Sequence, residues 1–203
     1  MKRRDVLKAA IAGGAAAMTG VAAATVPAAM MARGTGDLGV VIERATGSLL
    51  IVETTGRSVL ARVEGLGDMS HASAVFSCDE RYAYVFGRDS GLTQVDMLEA
   101  RIKNRIIQAG NAIGGAISDD GRLIAVSNYE PGGIRVFDAV TLAMVADIPA
   151  DCGLAKPSKT VGLTDAPGRQ FVYELYDDGQ IWIAAFTDPD HSKPKETGLE
   201  DAD

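Results

Sequence analysis

Short runs in which apolar and polar residues alternate, cut off from one another by Gly, Asp and Ser, fill the chain between Gly39 and Asp190. Such alternation marks antiparallel strands with one face buried, and no helical stretch lies between the runs. Tyr82-Ala83-Tyr84-Val85 predicts a strand, and Arg88-Asp89-Ser90-Gly91 a turn after it. Leu92-Thr93-Gln94-Val95-Asp96 and Arg105-Ile106-Ile107-Gln108-Ala109 predict two more strands. The pattern returns as Leu123 to Val126, a turn with Gly132-Gly133, Ile134 to Asp138, and Met144 to Ile148. An earlier fragment runs Val40 to Glu43, turns at Thr46-Gly47 and continues from Leu49 to Glu53.

The recurrence has a fixed length. Ser77-Cys78-Asp79-Glu80-Arg81 and Ser118-Asp119-Asp120-Gly121-Arg122 carry one turn pattern into a strand, 41 residues apart from arginine to arginine. A looser copy, Asp165 to Tyr173, follows 47 residues on. A period of this size without helices belongs to β-propeller blades of four antiparallel strands. The predicted class is therefore all-β, with about four blades over residues 39–190. Four blades can close as a small propeller; the alternative is an incomplete ring. Residues 191–203 are polar, charged and without period, and are expected to be a disordered tail.

At the other end, Lys2, Arg3, Arg4 and Lys8 precede an apolar run from Ala9 to Ala24, the pattern of a signal peptide over residues 1–24. Residues 25–38 then form a mature amino-terminal segment. The run falls short of the roughly 20 apolar residues a spanning helix needs, so no stable membrane anchor is expected. Arg3-Arg4 followed by Val6-Leu7-Lys8 looks like a twin-arginine motif, with Val where Phe is usual and the general secretory route as the alternative. Ala22-Ala23-Ala24 and Ala28-Ala29 both offer cleavage sites, and no Cys precedes Cys78 to take a lipid. The mature product is expected in the periplasm.

Charge narrows the partners. Residues 1–24 carry a net +3, so their removal takes the formal charge from −7 to −10, and such a surface repels nucleic acid phosphates. Cys78 and Cys152 fall in loops of different blades. A bond between them is permitted in an oxidising compartment but is not the expectation, and they form neither a c-type haem attachment motif nor a zinc pattern.

Four strings carry a resemblance: Arg33 to Gly39, Gly67-Asp68-Met69-Ser70-His71-Ala72-Ser73, Tyr82 to Asp89, and Ala125 to Gly133. From about Arg33 to Pro189 the chain resembles the NirF family, which serves haem d1 biosynthesis for the periplasmic nitrite reductase of denitrification. That family is in turn similar to the haem d1 domain of cytochrome cd1 nitrite reductase, an eight-bladed propeller. The resemblance implies that these blades are the first half of such a ring, with two blade flanks open to water, and that the chain is a frameshifted or truncated product. It implies binding of haem d1 or a late tetrapyrrole precursor, with nitrite reductase and other haem d1 maturation proteins as partners. Side-chain modification of dehydrogenase type, a non-catalytic carrier role and an interaction module without cofactor all stay open.

His71 is one of two histidines, and it lies in a loop directly before Ala74-Val75-Phe76. Loops leading into inner strands are where propellers place ligands, and imidazole suits haem iron; taken alone, a loop His is more often a surface residue. By the resemblance, His71-Ala72-Ser73 matches the His-x-Ser element of the d1 iron ligand, although Ala74 replaces an Arg that meets the tetrapyrrole. Arg88 offers a fork for tetrapyrrole carboxylates, or pairs with Asp89 or Asp68. Asn128-Tyr129-Glu130 opens what looks like a long, rigid turn up to Gly133: Tyr129 could stack on a macrocycle and Glu130 move a proton, or the segment is a turn with one exposed aromatic.

Gly34-x-Gly36-x-x-Gly39 matches the dinucleotide fingerprint in letters only. That fingerprint needs a strand before it and a helix after it, whereas here a signal peptide precedes and a strand follows, so NAD is not expected. With one His in the ordered part, no nucleophilic triad can be built. Asp119-Asp120 and Asp177-Asp178 read as turn residues.

Overall fold

In a computed structural model, which describes residues 35–153, 156–187 and 195–197, the alternating runs become fifteen strands in four antiparallel sheets. The first sheet holds β1 (Leu38–Glu43), β2 (Ser48–Glu53) and β3 (Ser58–Val63). The second holds β4 (Ser73–Phe76), β5 (Tyr82–Phe86), β6 (Gly91–Asp96) and β7 (Arg101–Ile107). The third holds β8 (Asn111–Ile117), β9 (Leu123–Glu130), β10 (Ile134–Asp138) and β11 (Met144–Ile148). The fourth holds β12 (Thr160–Ala166), β13 (Gln170–Leu175), β14 (Gln180–Ala185) and β15 (Lys195–Thr197). Each is a meander in chain order, as a propeller blade is. Among the described residues there is no α-helix.

Three boundaries differ from the expectation. The fourth strand of the second blade begins at Arg101 rather than Arg105 and ends at Ile107, because its hairpin with β6 closes at Asp96↔Arg101. Strand β9 continues through Asn128, Tyr129 and Glu130, so the turn behind it is only Pro131-Gly132-Gly133. Lys195–Thr197, within the expected disordered tail, pairs with β14 as the outer strand of the last blade. The expected signal peptide and His191 lie outside the described residues.

The blade order follows from which faces are apolar. In β5, Ala83 and Val85 pack towards Leu49, Ile51 and Val63 of the first blade, while Tyr84 and Phe86 pack towards Ile124 and Val126 of the third. In β9, Leu123 and Ala125 turn the other way, onto Phe171, Tyr173 and Leu175 of the fourth. Strands buried on both faces lose the simple polar alternation, which is why these read as near-continuous apolar runs. The two end blades carry exposed apolar residues on their outer flanks, Val41 and Val59 on the first and Ile181 and Ile183 on the last.

The repeated Ser-x-Asp signature has a structural cause. Ser77 Oγ bonds Asp79 Oδ1 and accepts the Tyr82 N–H, while Asp79 Oδ1 accepts the Arg81 N–H. Ser118, Asp120, Leu123 and Arg122 repeat the same set. The turn between the first and second strands of a blade is thus closed by its own side chains. No disulfide joins Cys78 and Cys152.

Candidate functional site

Antiparallel meanders send alternate connections to opposite ends of the blades. Links between blades, after β3 at 64–72, after β7 at 108–110 and after β11 from 149, share one end with the β1–β2 turn at 44–47 of the three-stranded first sheet and the second-to-third strand turns at 87–90, 131–133 and 176–179 of the others. Backbone bonds tie them there: Leu66 N–H to Gly47 O at 3.0 Å and Arg88 N–H to Asp68 O at 2.8 Å. All five residues singled out from the sequence fall at this end. The Ser-x-Asp turns lie at the other.

His71 is exposed on a turn held from both sides by buried Met69 and Ala72, whose backbones are joined by the Ala72 N–H to Met69 O bond. Two residues on, β4 begins with Ser73, whose Oγ lies next to Gly114 of β8. The contacts of β4 with β8 and of β8 with β12 make these the inner strands of their blades, so His71 stands at the mouth of the inner wall. Asp68, three residues before it, has its carboxyl held below the usual range, chiefly by the Ser70 N–H at 2.9 Å. Arg88 and His71 add smaller contributions of the same sign.

Arg88 is exposed and makes no ion pair among the described residues. Of its two alternative partners, Asp89 is taken by Arg105 Nη2 at 2.6 Å, while Asp68 feels the charge of Arg88 without a direct ion pair. The guanidinium of Arg88 is left at the rim.

Asn128 is buried, and its Oδ1 accepts from Gln108 Nε2 at 2.7 Å, so it faces a neighbouring loop rather than solvent. Tyr129 is half-buried, with Lys159 Nζ 5.2 Å from its ring centre; this cation competes for the ring face that a macrocycle would need. Glu130 is exposed and lies opposite Asn111 in the ladder. Gly132 and Gly133 have positive φ, and a Cβ on either would strike the backbone of Ser158 or Ile148. The short turn is therefore set by close packing.

Sequence reasoning passed over Gln108 and Asn111. Gln108 Oε1 and Asn111 Oδ1 are buried without a hydrogen-bond partner, and a buried orphan acceptor is costly unless something donates to it. Their signal was positional: the link 108–110 occupies, in its blade, the place that 64–72 occupies before His71. The rim thus carries the His71 imidazole, the Arg88 guanidinium and the Glu130 carboxylate, together with the buried amide oxygens of Gln108 and Asn111. The imidazole and the guanidinium suit a flat ligand bearing a metal and acid groups. No cluster of three or more His, Cys, Asp or Glu among the described residues is placed to hold a bare metal ion.

Residues 33–202 match the family described as the cytochrome D1 heme domain. The chain is 64% identical over 160 residues to the protein NirF of Pseudomonas aeruginosa, covering 78% of this chain and 41% of NirF. NirF of Stutzerimonas stutzeri is 62% identical over 157 residues, with 76% of this chain and 40% of that protein covered. The chain thus spans about two fifths of the length of the curated relatives it matches. Among solved structures it superposes on the dihydro-heme d1 dehydrogenase NirN in complex with DHE, with TM-score 0.73 and 28% identity over 82% of this chain and 36% of NirN.

Proposed function

Because the chain belongs to the cytochrome D1 heme domain family, we propose that it takes part in haem d1 biosynthesis by holding haem d1 or a late precursor on the face that carries His71. The observation that carries the proposal is the presence, on one rim, of an exposed imidazole at the mouth of the inner wall and of the Arg88 guanidinium, which makes no direct ion pair among the described residues. The match to NirF and the likeness to a dehydrogenase solved with DHE support the ligand class.

When bound, such a tetrapyrrole supplies a redox-active iron and a carboxylate-bearing ring. His71 offers a ring nitrogen to the iron, and neutral imidazole is the form that ligates. Arg88 offers the two-pronged donor that carboxylates prefer. Glu130 is the exposed carboxylate from which a proton could be exchanged with a ring substituent. Export by the Arg3-Arg4 signal would bring this face to the periplasm, where handover to nitrite reductase or another maturation protein follows.

Titration of ferric haem d1 into the purified chain tests the reading. A saturable spectral change that is altered in His71→Ala, with weaker binding, is the expected result. No saturable binding to the parent chain, or a His71→Ala spectrum and affinity equal to the parent, would overturn it.

A further inference from the structure

We infer that the Asp89–Arg105 ion pair is a positioning device for His71, setting the attitude of the loop that presents the imidazole; the inference rests on the reading of His71 as an iron ligand. The pair joins three segments that are distant in sequence. Arg105 reaches from β7, and its Nη2 lies 2.6 Å from Asp89 Oδ2 and donates to Leu66 O at 3.2 Å. Asp89 sits in the turn 87–90, where its Oδ1 accepts the Gly91 N–H at 3.0 Å and its Oδ2 accepts the Asp68 N–H at 3.4 Å. The Arg88 N–H closes the set on Asp68 O. Leu66 and Asp68 both belong to the loop 64–72 that carries His71.

The packing around the pair shows that its place is built. A Cβ on Gly67, which has φ +85°, would collide with both Asp89 Oδ2 and Arg105 Nη2. A Cβ on Gly91 would press on both Asp89 and Arg105, and one on Gly87 would press on Asp89 and the Asp68 carbonyl. Three glycines from two segments therefore enclose one ion pair, and the His71 loop runs directly over it. Both side chains are about a quarter to a third exposed, 24% for Arg105 and 31% for Asp89, so water screens them incompletely.

Besides the Leu66 N–H bond to Gly47 O at the start of the loop and the Ala72 N–H bond to Met69 O at its end, the loop is held by apolar burial. Leu66 and Met69 are buried in the seam between the first two blades, and apolar burial fixes a segment without fixing its direction. Charge-assisted hydrogen bonds are directional and supply that direction. Outer partners that orient a ligating histidine are worth roughly 10- to 100-fold in metal affinity. Loss of the pair should leave the blades folded while the imidazole loses its set orientation.

The test compares variants of the full chain titrated with ferric haem d1. Arg105→Ala and Asp89→Asn should shift the spectrum towards that of His71→Ala and weaken binding roughly 10- to 100-fold, with Arg105→Lys recovering part of both. The control is Arg81→Ala, which breaks the Arg81–Asp96 pair of 2.9 Å at the opposite end of the same blade. It should lower the melting temperature and leave the spectrum of the bound haem as in the parent. Should Arg105→Ala fail to fold, Asp89→Asn carries the comparison. Parent-like spectra and affinities in the folded Arg105 or Asp89 variants, or an equal shift in Arg81→Ala, would overturn the positioning role alone. An unchanged His71→Ala, or a parent chain that does not bind, would bring down the reading beneath it as well.

Discussion

Arg169 of the last blade donates its Nε–H to the Asp120 carboxylate of the blade before it, at 2.6 Å. Beside it, Asp119 accepts the backbone N–H groups of Gly168 and Arg169 at 2.8 and 3.1 Å. The turn chemistry that closes one blade thus also clasps the next. Asp120→Ala should cost about 1 kcal/mol, the scale of a partly exposed ion pair, 20% for Arg169 and 28% for Asp120, with its hydrogen bonds. Because this end is opposite to His71, haem d1 binding should be unchanged. Thermal melts and the spectral titration check the two halves separately.

The same aspartates give the acid limb of stability. The Gly168 and Arg169 N–H groups hold Asp119 below the usual carboxylate range. Burial pushes Asp120 upwards, but Ser118, Arg122 and Arg169 together outweigh it. A group depressed on folding contributes stability above its unfolded value, near 3.9, and loses it as pH falls through the folded value. Acid unfolding of Asp119→Asn should therefore be less steep with pH than that of the parent, as circular dichroism would show.

Glu80 holds φ 56° at the turn position where the next blade has Gly121, with φ 72°. A left-handed conformation costs a side-chain-bearing residue about 1–2 kcal/mol, while glycine adds about 0.5–1 kcal/mol of chain entropy to lose. Glu80→Gly should therefore stabilise slightly, by roughly 0.5 kcal/mol. Gly121→Ala should destabilise, since its Cβ would press on Cys78 Sγ at 2.7 Å. Denaturant midpoints of the two variants should move in opposite directions.

Tyr84 is buried at the seam of the second and third blades, where its hydroxyl donates to Ala139 O at 2.8 Å and accepts from Gln94 Nε2 at 3.2 Å. Burial pushes its pKa up to about 12. Its contribution is complete below the unfolded value near 10 and is lost as pH rises through the folded value. Tyr84→Phe should cost about 1–2 kcal/mol and flatten the alkaline fall in stability. Tyrosinate absorbance during alkaline titration should show one late-titrating group missing from the variant.

On the proposed twin-arginine reading of the amino terminus, export should depend on Arg3-Arg4. Replacing both by Lys should leave a precursor in the cytoplasm. Immunoblots of cytoplasmic and periplasmic fractions decide it, and undiminished export would count against the twin-arginine route.

Much of the fold was legible because its signals are local. Alternation and turn residues sit within a few positions of one another, so the Ser-x-Asp turns and the strands Ile134 to Asp138 and Met144 to Ile148 could be read directly. The 41-residue spacing of Arg81 and Arg122 then implied blades, and strand alternation is enough to put His71, Arg88 and Glu130 at one end. Partner choice was not legible. Asp89 lies one residue from Arg88 but bonds Arg105, sixteen residues away, and Asn128, which looked like part of a turn, is a buried strand residue held by Gln108. The sequence by itself determined periodicity and the direction of the chain, since backbone geometry repeats every few residues. Only the tertiary structure decided which charges are spent on each other, as Asp89 is on Arg105, and which, like Arg88, stand exposed without a direct ion pair among the described residues, because that depends on the packing of segments far apart in the chain.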